Sequence, residues 1–350
     1  MIRKKIAILF GGCSAEYEIS LKSAFSVIHH LNKRKYKAVL IGITRDGQWY
    51  RYVGEELNIS KDTWHTDKEN CIKVLISQNR GAREIIEIKD GIIKKTVIDC
   101  AFPVLHGKNG EDGTLQGLFE LAGIPFVGCD SASSALCMDK DKAHKIAAME
   151  GIRVPNSIVI DQSYSLDDVK AQAQTLSYPL FVKPIRSGSS FGISKVCEPQ
   201  KLAQAINQAF SYDNRVIIEE AIDGFEVGCA ILGSGKLTIG EVDEIETRDG
   251  FFDYTEKYSL KTAKIHIPAR IEQSTAQRVK ETAGKIYHAL GCSGFARVDM
   301  FLTPNDEVIF NEVNTIPGMT SHSRYPNMMK EVGIGFGEVL DKLIALSFEK

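Results

Sequence analysis

The chain has 350 residues, more than one ordinary domain of about 100 to 200, so two or three domains are expected. Its 43 basic and 45 acidic residues leave a net charge of -2, and 43% of the chain is apolar. That ordinary globular composition excludes a basic nucleic-acid platform, an acidic tail and a disordered chain. The apolar stretch after the positive start is only Ile6 to Phe10, too short for a secretory leader. No run approaches the roughly 18 apolar residues of a membrane span, so a soluble cytoplasmic protein with no membrane or nucleic-acid partner is expected. Eight cysteines contain no Cys-x-x-Cys pair and read as reduced core residues.

In chain order, Ile6 to Gly12 reads as a buried strand running into glycines, and Ser14 to Leu31 has helical apolar spacing. A second strand, Ala38 to Thr44, completes a βα unit of a parallel sheet. Residues 50 to 95 read as polar, irregular and peripheral, apart from a hairpin over 84–95 with its Asp90-Gly91 turn. An apolar strand over 97–107 ends in a His-Gly loop, and the helix from Thr114 stops at Gly123. A single helix is expected over 133–150. A second unit follows, with strands near 156, 178 and 215 and helices over 166–176 and 201–210. The third has strands near 226 and 237, a polar loop over 247–264, a helix over 274–290, a strand pair over 295–314 and a terminal helix over 337–348. The expected division is 1–139 as an N-terminal α/β domain, 140–228 as an α+β central domain and 229–350 as a C-terminal domain.

The strand pair near the C terminus is the most informative feature. Period-two alternation puts Arg297 and Asp299 on one face of FARVDMF, and Glu312 and Asn314 on one face of VIFNEVN. A simple hairpin register sets Asp299 opposite Glu312 and Arg297 opposite Asn314. Two carboxylates and an amide oxygen suit Mg²⁺ completed by substrate phosphates; a solvated ladder in which Arg297 bridges the acids fits the same pattern. FVKPIRSGSSFG, 181–192, is a strand ending in Lys183 and a serine–glycine loop of the kind that closes over phosphates, and no Walker A or G-x-G-x-x-G string occurs. IIEEAIDGFEV, 217–227, offers a strand end to a base edge and a carboxylate to ribose hydroxyls. TIPGMTSHSRYP, 315–326, reads as a loop whose Gly318 allows close backbone approach and whose Ser323 and Arg324 suit an anion. Histidines 29, 30, 65, 144, 266 and 288 read as structural or solvated.

Taken in order, GGCSAEYEISLKSA, FPVLHGKNGEDGTLQG, KPIRSGSSFG, EEAIDGFEV, EKYSL, ARVDMF and NEVNTIPGMTSHS resemble the D-alanine:D-alanine ligase family of ATP-grasp enzymes over nearly the whole chain. The resemblance implies a three-domain α/β and α+β architecture with an N-terminal parallel sheet and ATP held between the other two domains. It also implies a homodimer and a reaction in which a D-alanyl phosphate is attacked by a second amino acid. Carried onto this sequence, Glu16 would hold the first ammonium, linked through Ser189 to Tyr258, with His106 nearby. Lys140, Lys183, Ser190 and Lys257 would bind the ATP phosphates, Glu219 and the strand end through Ile222 the adenine, and Glu226 the ribose. Asp299, Glu312 and Asn314 would bind two Mg²⁺, for which Mn²⁺ would substitute. Arg297 and the Gly318 N–H would stabilise the oxyanion.

The second substrate is read from two signals. Glu256-Lys257-Tyr258 favours an amine nucleophile over a hydroxy acid, whereas GGCSAEYEIS and SRYPNMM are similar to vancomycin-resistance ligases. Together they point to D-alanine:D-serine ligation, with D-alanine:D-alanine ligation as the alternative. Phe252 and Arg324 are the residues expected at the serine hydroxymethyl, since a recognised hydroxyl discriminates more strongly than the roughly 1–3 kcal/mol of an added small group.

Overall fold

The computed structural model describes residues 2–188, 190–246 and 264–349. β1 (Lys4–Gly11) is buried along its last six residues, the mark of a strand covered on both faces. It pairs in parallel with β2 (Tyr36–Ile43) and β7 (Cys100–Pro103). β3 (Trp49–Tyr52), β4 (Cys71–Ile76), β5 (Glu84–Lys89) and β6 (Ile92–Val97) extend the sheet from β2 as an antiparallel meander, in the order β6-β5-β4-β3-β2-β1-β7. The first sheet is therefore mixed rather than parallel, and residues 50–95 are a wing of it rather than an irregular appendage. β3 and β4 escaped detection because they are half-buried, without a clean apolar alternation. The hairpin turn is as expected, with Asp90 and Gly91 both at positive φ.

The second sheet is antiparallel, in the order β10-β9-β11-β8, built from β8 (Ser157–Asp161), β9 (Leu180–Pro184), β10 (Ser194–Val196) and β11 (Arg215–Glu220). The helix Leu202–Phe210 covers it with Leu202, Ala205, Ile206 and Ala209, one stripe at helical spacing. The third sheet, β14-β13-β12-β15-β16, comprises β12 (Phe225–Gly233), β13 (Thr238–Glu246), β14 (Lys264–His266), β15 (Gly294–Leu302) and β16 (Val308–Asn314), all antiparallel.

Core packing divides the chain differently from the expected boundaries. The four-stranded sheet has a core of its own, drawn from residues 160–218. The first and third sheets instead share one: Phe10, Tyr17 and Phe102 pack in the same cluster as Leu232, Phe295, Met319 and Tyr325. The terminal helix Phe336–Leu346 joins that cluster. A boundary at 228/229 would cut β12, and the helix Lys140–Met149 packs with the third sheet rather than the second. The single helix expected over 133–150 is two, Ser131–Met138 and Lys140–Met149. Asp139 leaves helical dihedrals between them, and its carboxylate accepts from the Lys142 N–H, capping the second. The cap aims Lys140 into the molecule.

Five of the eight cysteines are buried, Cys71 is intermediate, and Cys13 and Cys197 are exposed, so those two are not core residues as expected. Among the described residues, no helix is long and apolar enough to cross a membrane.

Candidate active site

Two cavities meet at the face of the third sheet. The first, about 290 Å³, lies between the second and third sheets and is lined by Lys140, Lys183, Ser190, Glu219, Ile222, Glu226 and Glu312. All the described residues expected to bind ATP thus line one cavity. Phe181, Ile193, Phe225, Ile245 and Phe301 add apolar walls, the composition of a site for a flat base carrying polar groups.

Lys183 Nζ lies 2.6 Å from Glu219 Oε2, both buried. Burial pushes the Glu219 carboxyl up, but Lys183, with His144, outweighs it and holds the group below its ordinary value, ionised. His144 Nε2 donates to the Asn311 carbonyl at 2.7 Å, and Nδ1 lies 3.5 Å from Glu219 Oε1. Burial lowers its pKa. His144 thus braces the wall of the first cavity from between Asn311 and Glu219. Lys140 Nζ donates to the Ser187 carbonyl at 2.9 Å and pairs with Glu312 at 3.2 Å, so one lysine joins the serine–glycine loop to the third sheet.

The second cavity, about 580 Å³, lies between the first and third sheets. It is lined by Glu16, His106, Arg297, Asn314, Gly318, Ser323 and Arg324, all expected at the site. The Glu16 carboxylate is flanked by glycines of two different units: a Cβ added at Gly107 would lie 2.5 Å from Oε2, and one at Gly188 2.9 Å away. Only glycine lets both loops approach that closely. Ser189, Phe252, Lys257 and Tyr258 lie outside the described residues. His106 Nδ1 donates to the Ile316 carbonyl at 2.9 Å, and burial lowers its pKa, leaving a neutral ring at pH 7. Ser323 contacts Thr320, accepting from its N–H at 3.0 Å; it precedes the helix Arg324–Glu331, where a loop through Pro326 was expected. Pro326 sits in the first turn, where its missing N–H costs nothing.

The seam between the cavities is the strand pair. β15 and β16 pair Asp299 with Glu312 and Arg297 with Asn314, the register expected from alternation. A bulge follows Asp299, so that Met300 faces Phe310. The extra residue breaks the alternation, and Asn311 and Glu312 both line the first cavity. Asp299 lines neither cavity and is 1% exposed. Arg297 holds it through two hydrogen bonds, Nε to Oδ1 at 2.7 Å and Nη2 to Oδ2 at 2.6 Å, and Asn314 Nδ2 donates to Oδ2 at 2.9 Å. The hard oxygen donors of Asp299, Glu312 and Asn314 fit Mg²⁺ in chemistry. Here their charge is balanced by Arg297 and Lys140, and among the described residues no three His, Cys, Asp or Glu side chains are already gathered as a metal cluster.

Arg324 reaches the same seam from behind. It donates to Asp243 through Nε at 2.6 Å and Nη2 at 2.8 Å, and to Glu226 through Nη1 at 2.8 Å. Nη2 also lies 3.3 Å from Asp299. Burial opposes its charge, but Asp243, followed by Asp299 and Glu226, holds the guanidinium protonated. The register explains the fit: Gly228 of β12 stands between Asp243 and Asp299, and a Cβ there would lie 2.2 Å from Arg324 Nη2. Arg324 fills the place of the side chain that position 228 lacks. It is thus a charge-balancing strut, more deeply engaged than the substrate contact expected of it.

Sequence reasoning missed Asp243, Glu111 and Ser23. Glu111 is buried in the second cavity; desolvation, with Glu16 beside it, pushes its carboxyl up to about 8. Its signal was in the quoted HGKNGED string, where an acid among glycines reads as a turn residue.

Models of the D-Ala-D-Ala ligase C-terminus and N-terminus match residues 146–345 and 5–129. The vancomycin/teicoplanin A-type resistance protein VanA of Enterococcus faecium is 45% identical over all of both chains. A D-alanine–D-alanine ligase of Caldicellulosiruptor bescii is 44% identical, over 100% of this chain and 96% of its own. The crystal structure of the VanG D-Ala:D-Ser ligase from Enterococcus faecalis superposes with a TM-score of 0.92 and 57% identity, over 99% of this chain and 100% of that one. With its two cavities, their shared carboxylate seam and these matches, the chain belongs to the D-alanine:D-alanine ligase family, ATP-dependent ligases of the ATP-grasp fold.

Proposed function

We propose that this ligase joins D-alanine to D-serine for modified peptidoglycan precursors and glycopeptide resistance, acting in the cytoplasm as a homodimer. The observation that carries the reading is the likeness, at 57% identity over nearly the whole chain, to a protein described as a D-Ala:D-Ser ligase. ATP would occupy the first cavity, with Glu219 and Ile222 at the adenine, Glu226 at the ribose, and Lys140, Lys183, Ser190 and Lys257 at the phosphates. The first D-alanine would bind in the second cavity, its ammonium at Glu16 in the Glu16–Ser189–Tyr258 link, close to His106. Its carboxylate attacks the γ-phosphoryl group, releasing ADP and leaving D-alanyl phosphate. The amine of the second amino acid then attacks the acyl carbon, and phosphate departs.

Asp299, Glu312 and Asn314 would hold two Mg²⁺, or Mn²⁺, which neutralise charge on the transferred phosphoryl group. Arg297 and Gly318 line the second cavity, and the Arg297 guanidinium with the Gly318 N–H would stabilise the oxyanion charge that develops there. For the second substrate, Ser323 and Phe252 would border the side chain. Arg324 has five N–H donors, and among the described residues its hydrogen bonds to Asp243 and Glu226 use three, with Asp299 a further 3.3 Å ion-pair contact of Nη2. The remaining Nη1–H is the donor a serine hydroxyl would meet, on a guanidinium that cannot easily turn away. The second reading is housekeeping D-alanine:D-alanine ligation, which the relative from Caldicellulosiruptor bescii supports by name.

Competition between D-serine and D-alanine at equal concentration, with products separated by mass, tests the choice. D-alanyl-D-serine should dominate; a product that is chiefly D-alanyl-D-alanine refutes it. Glu312→Ala should abolish phosphate release while leaving the fold intact, and release at the wild-type rate refutes the seam as the reacting centre.

A further inference from the structure

The segment 315–319, which carries the Gly318 N–H, follows the last strand of the third sheet but is held by three side chains of the first unit. Glu111 Oε1 accepts the Ile316 N–H at 2.9 Å, and its Oε2 accepts the Gly107 N–H at 2.7 Å. His106 Nδ1 donates to the Ile316 carbonyl at 2.9 Å. Ser23, on the helix Tyr17–His30, accepts the Met319 N–H at 3.3 Å, and its hydroxyl lies 3.3 Å from His106 Nε2. Both polar groups of the Ile316 peptide and the amide after Gly318 are therefore set by residues of the first unit. The two oxygens of Glu111 also fix the distance between the loop at Gly107, which touches Glu16, and the loop at Ile316. Nothing in the ligation chemistry above uses Glu111.

We propose that Glu111 is a positioning residue for ligation, a two-ended clamp that joins the Glu16 side of the substrate cavity to the Ile316–Gly318 backbone and so aims the Gly318 N–H. The inference rests on the reading of that N–H as an oxyanion donor. A carboxyl group suits the task because both of its oxygens keep acceptor lone pairs, protonated or not, whereas a glutamine presents an acceptor at one end and an NH₂ at the other. Glu111→Gln therefore sets a donor against one of the two backbone N–H groups, and one loop lets go. A displacement of about 1 Å at a reacting centre costs on the order of 100-fold.

The test is steady-state ligation by Glu111→Gln and by Ser23→Ala, with whichever second amino acid the wild-type protein uses best, alongside thermal unfolding. For Glu111→Gln, kcat should fall tenfold or more while the KM for ATP stays within twofold, because the first cavity does not include the clamp. Ser23→Ala should show the same split with a smaller fall in kcat, and it keeps the test decisive if Glu111→Gln does not fold. A kcat within twofold of wild type in either folded variant overturns the proposal. So does a fall in kcat matched by an equal rise in the KM for ATP and a collapse of the melting temperature, the pattern of a purely structural residue. A result against D-serine refutes the second-substrate reading and leaves this comparison untouched.

Discussion

Replacing Arg324 by methionine separates a strut from a substrate contact. The side chain is 7% exposed and donates to Asp243 and Glu226 at 2.6–2.8 Å. Methionine keeps much of the volume but leaves Asp243, fully buried at 0%, facing Asp299 across Gly228 without its cation. Removing one partner of a buried ion pair costs roughly 3–5 kcal/mol, and Arg324→Met should destabilise the folded chain by that amount in urea unfolding. Asp243→Asn should cost less, about 2 kcal/mol, because the guanidinium keeps Glu226 and Asp299 and an amide desolvates more cheaply. The double variant should lose less than the two single losses together, by about 2 kcal/mol, the coupling expected of side chains in direct contact. If Arg324→Met shifts stability by less than about 1 kcal/mol while changing the product ratio, the strut reasoning is wrong and the residue acts on substrate alone.

Other consequences follow from packing and charge. Gly228→Ala should displace Arg324 by steric contact, reproducing much of the Arg324→Met destabilisation with every charge retained; an alanine variant as stable as wild type would contradict the close approach. Glu111, raised from 4.5 to about 8, binds a proton in the folded chain that the unfolded chain releases. Its contribution to stability is complete below pH 4.5 and is lost as pH rises through about 8. Wild type should accordingly lose stability relative to Glu111→Gln between pH 5 and pH 8, and urea midpoints that move in parallel across that range would show the carboxyl to be ordinary. A thiol reagent should modify Cys13 and Cys197 quickly in the native protein. Cys100, Cys129, Cys137, Cys229 and Cys292, all buried, should react only on unfolding, and mass mapping after partial alkylation decides this.

Much of the site was legible because its chemistry is local. The pairing of Asp299 with Glu312 follows from period-two alternation and a short turn, both properties of fewer than twenty consecutive residues. The helix Thr114–Ala122 and its positive-φ stop at Gly123 were equally local. The misreadings arose where neighbours in space override neighbours in sequence. The helix break at Asp139 turns on one capped N–H, β3 and β4 on partner strands that supply their missing hydrogen bonds, and the bulge after Asp299 on a register the sequence pattern does not record.

By itself, the sequence determined which groups gather at the site: the lysines and acids of the first cavity, the Arg297–Asp299 and Glu312–Asn314 faces, and the glycines beside Glu16. Tertiary structure decided what each group is used for. Arg324 became a strut because Gly228, nearly a hundred residues away, left a gap between two buried carboxylates. Glu111 became a clamp because the first and third sheets share one core, which brings Gly107 and Ile316 within reach of a single side chain. Alternation and spacing report which face a residue takes, whereas the partner it meets is set by how the sheets pack against each other, and that energy is spread over the whole core.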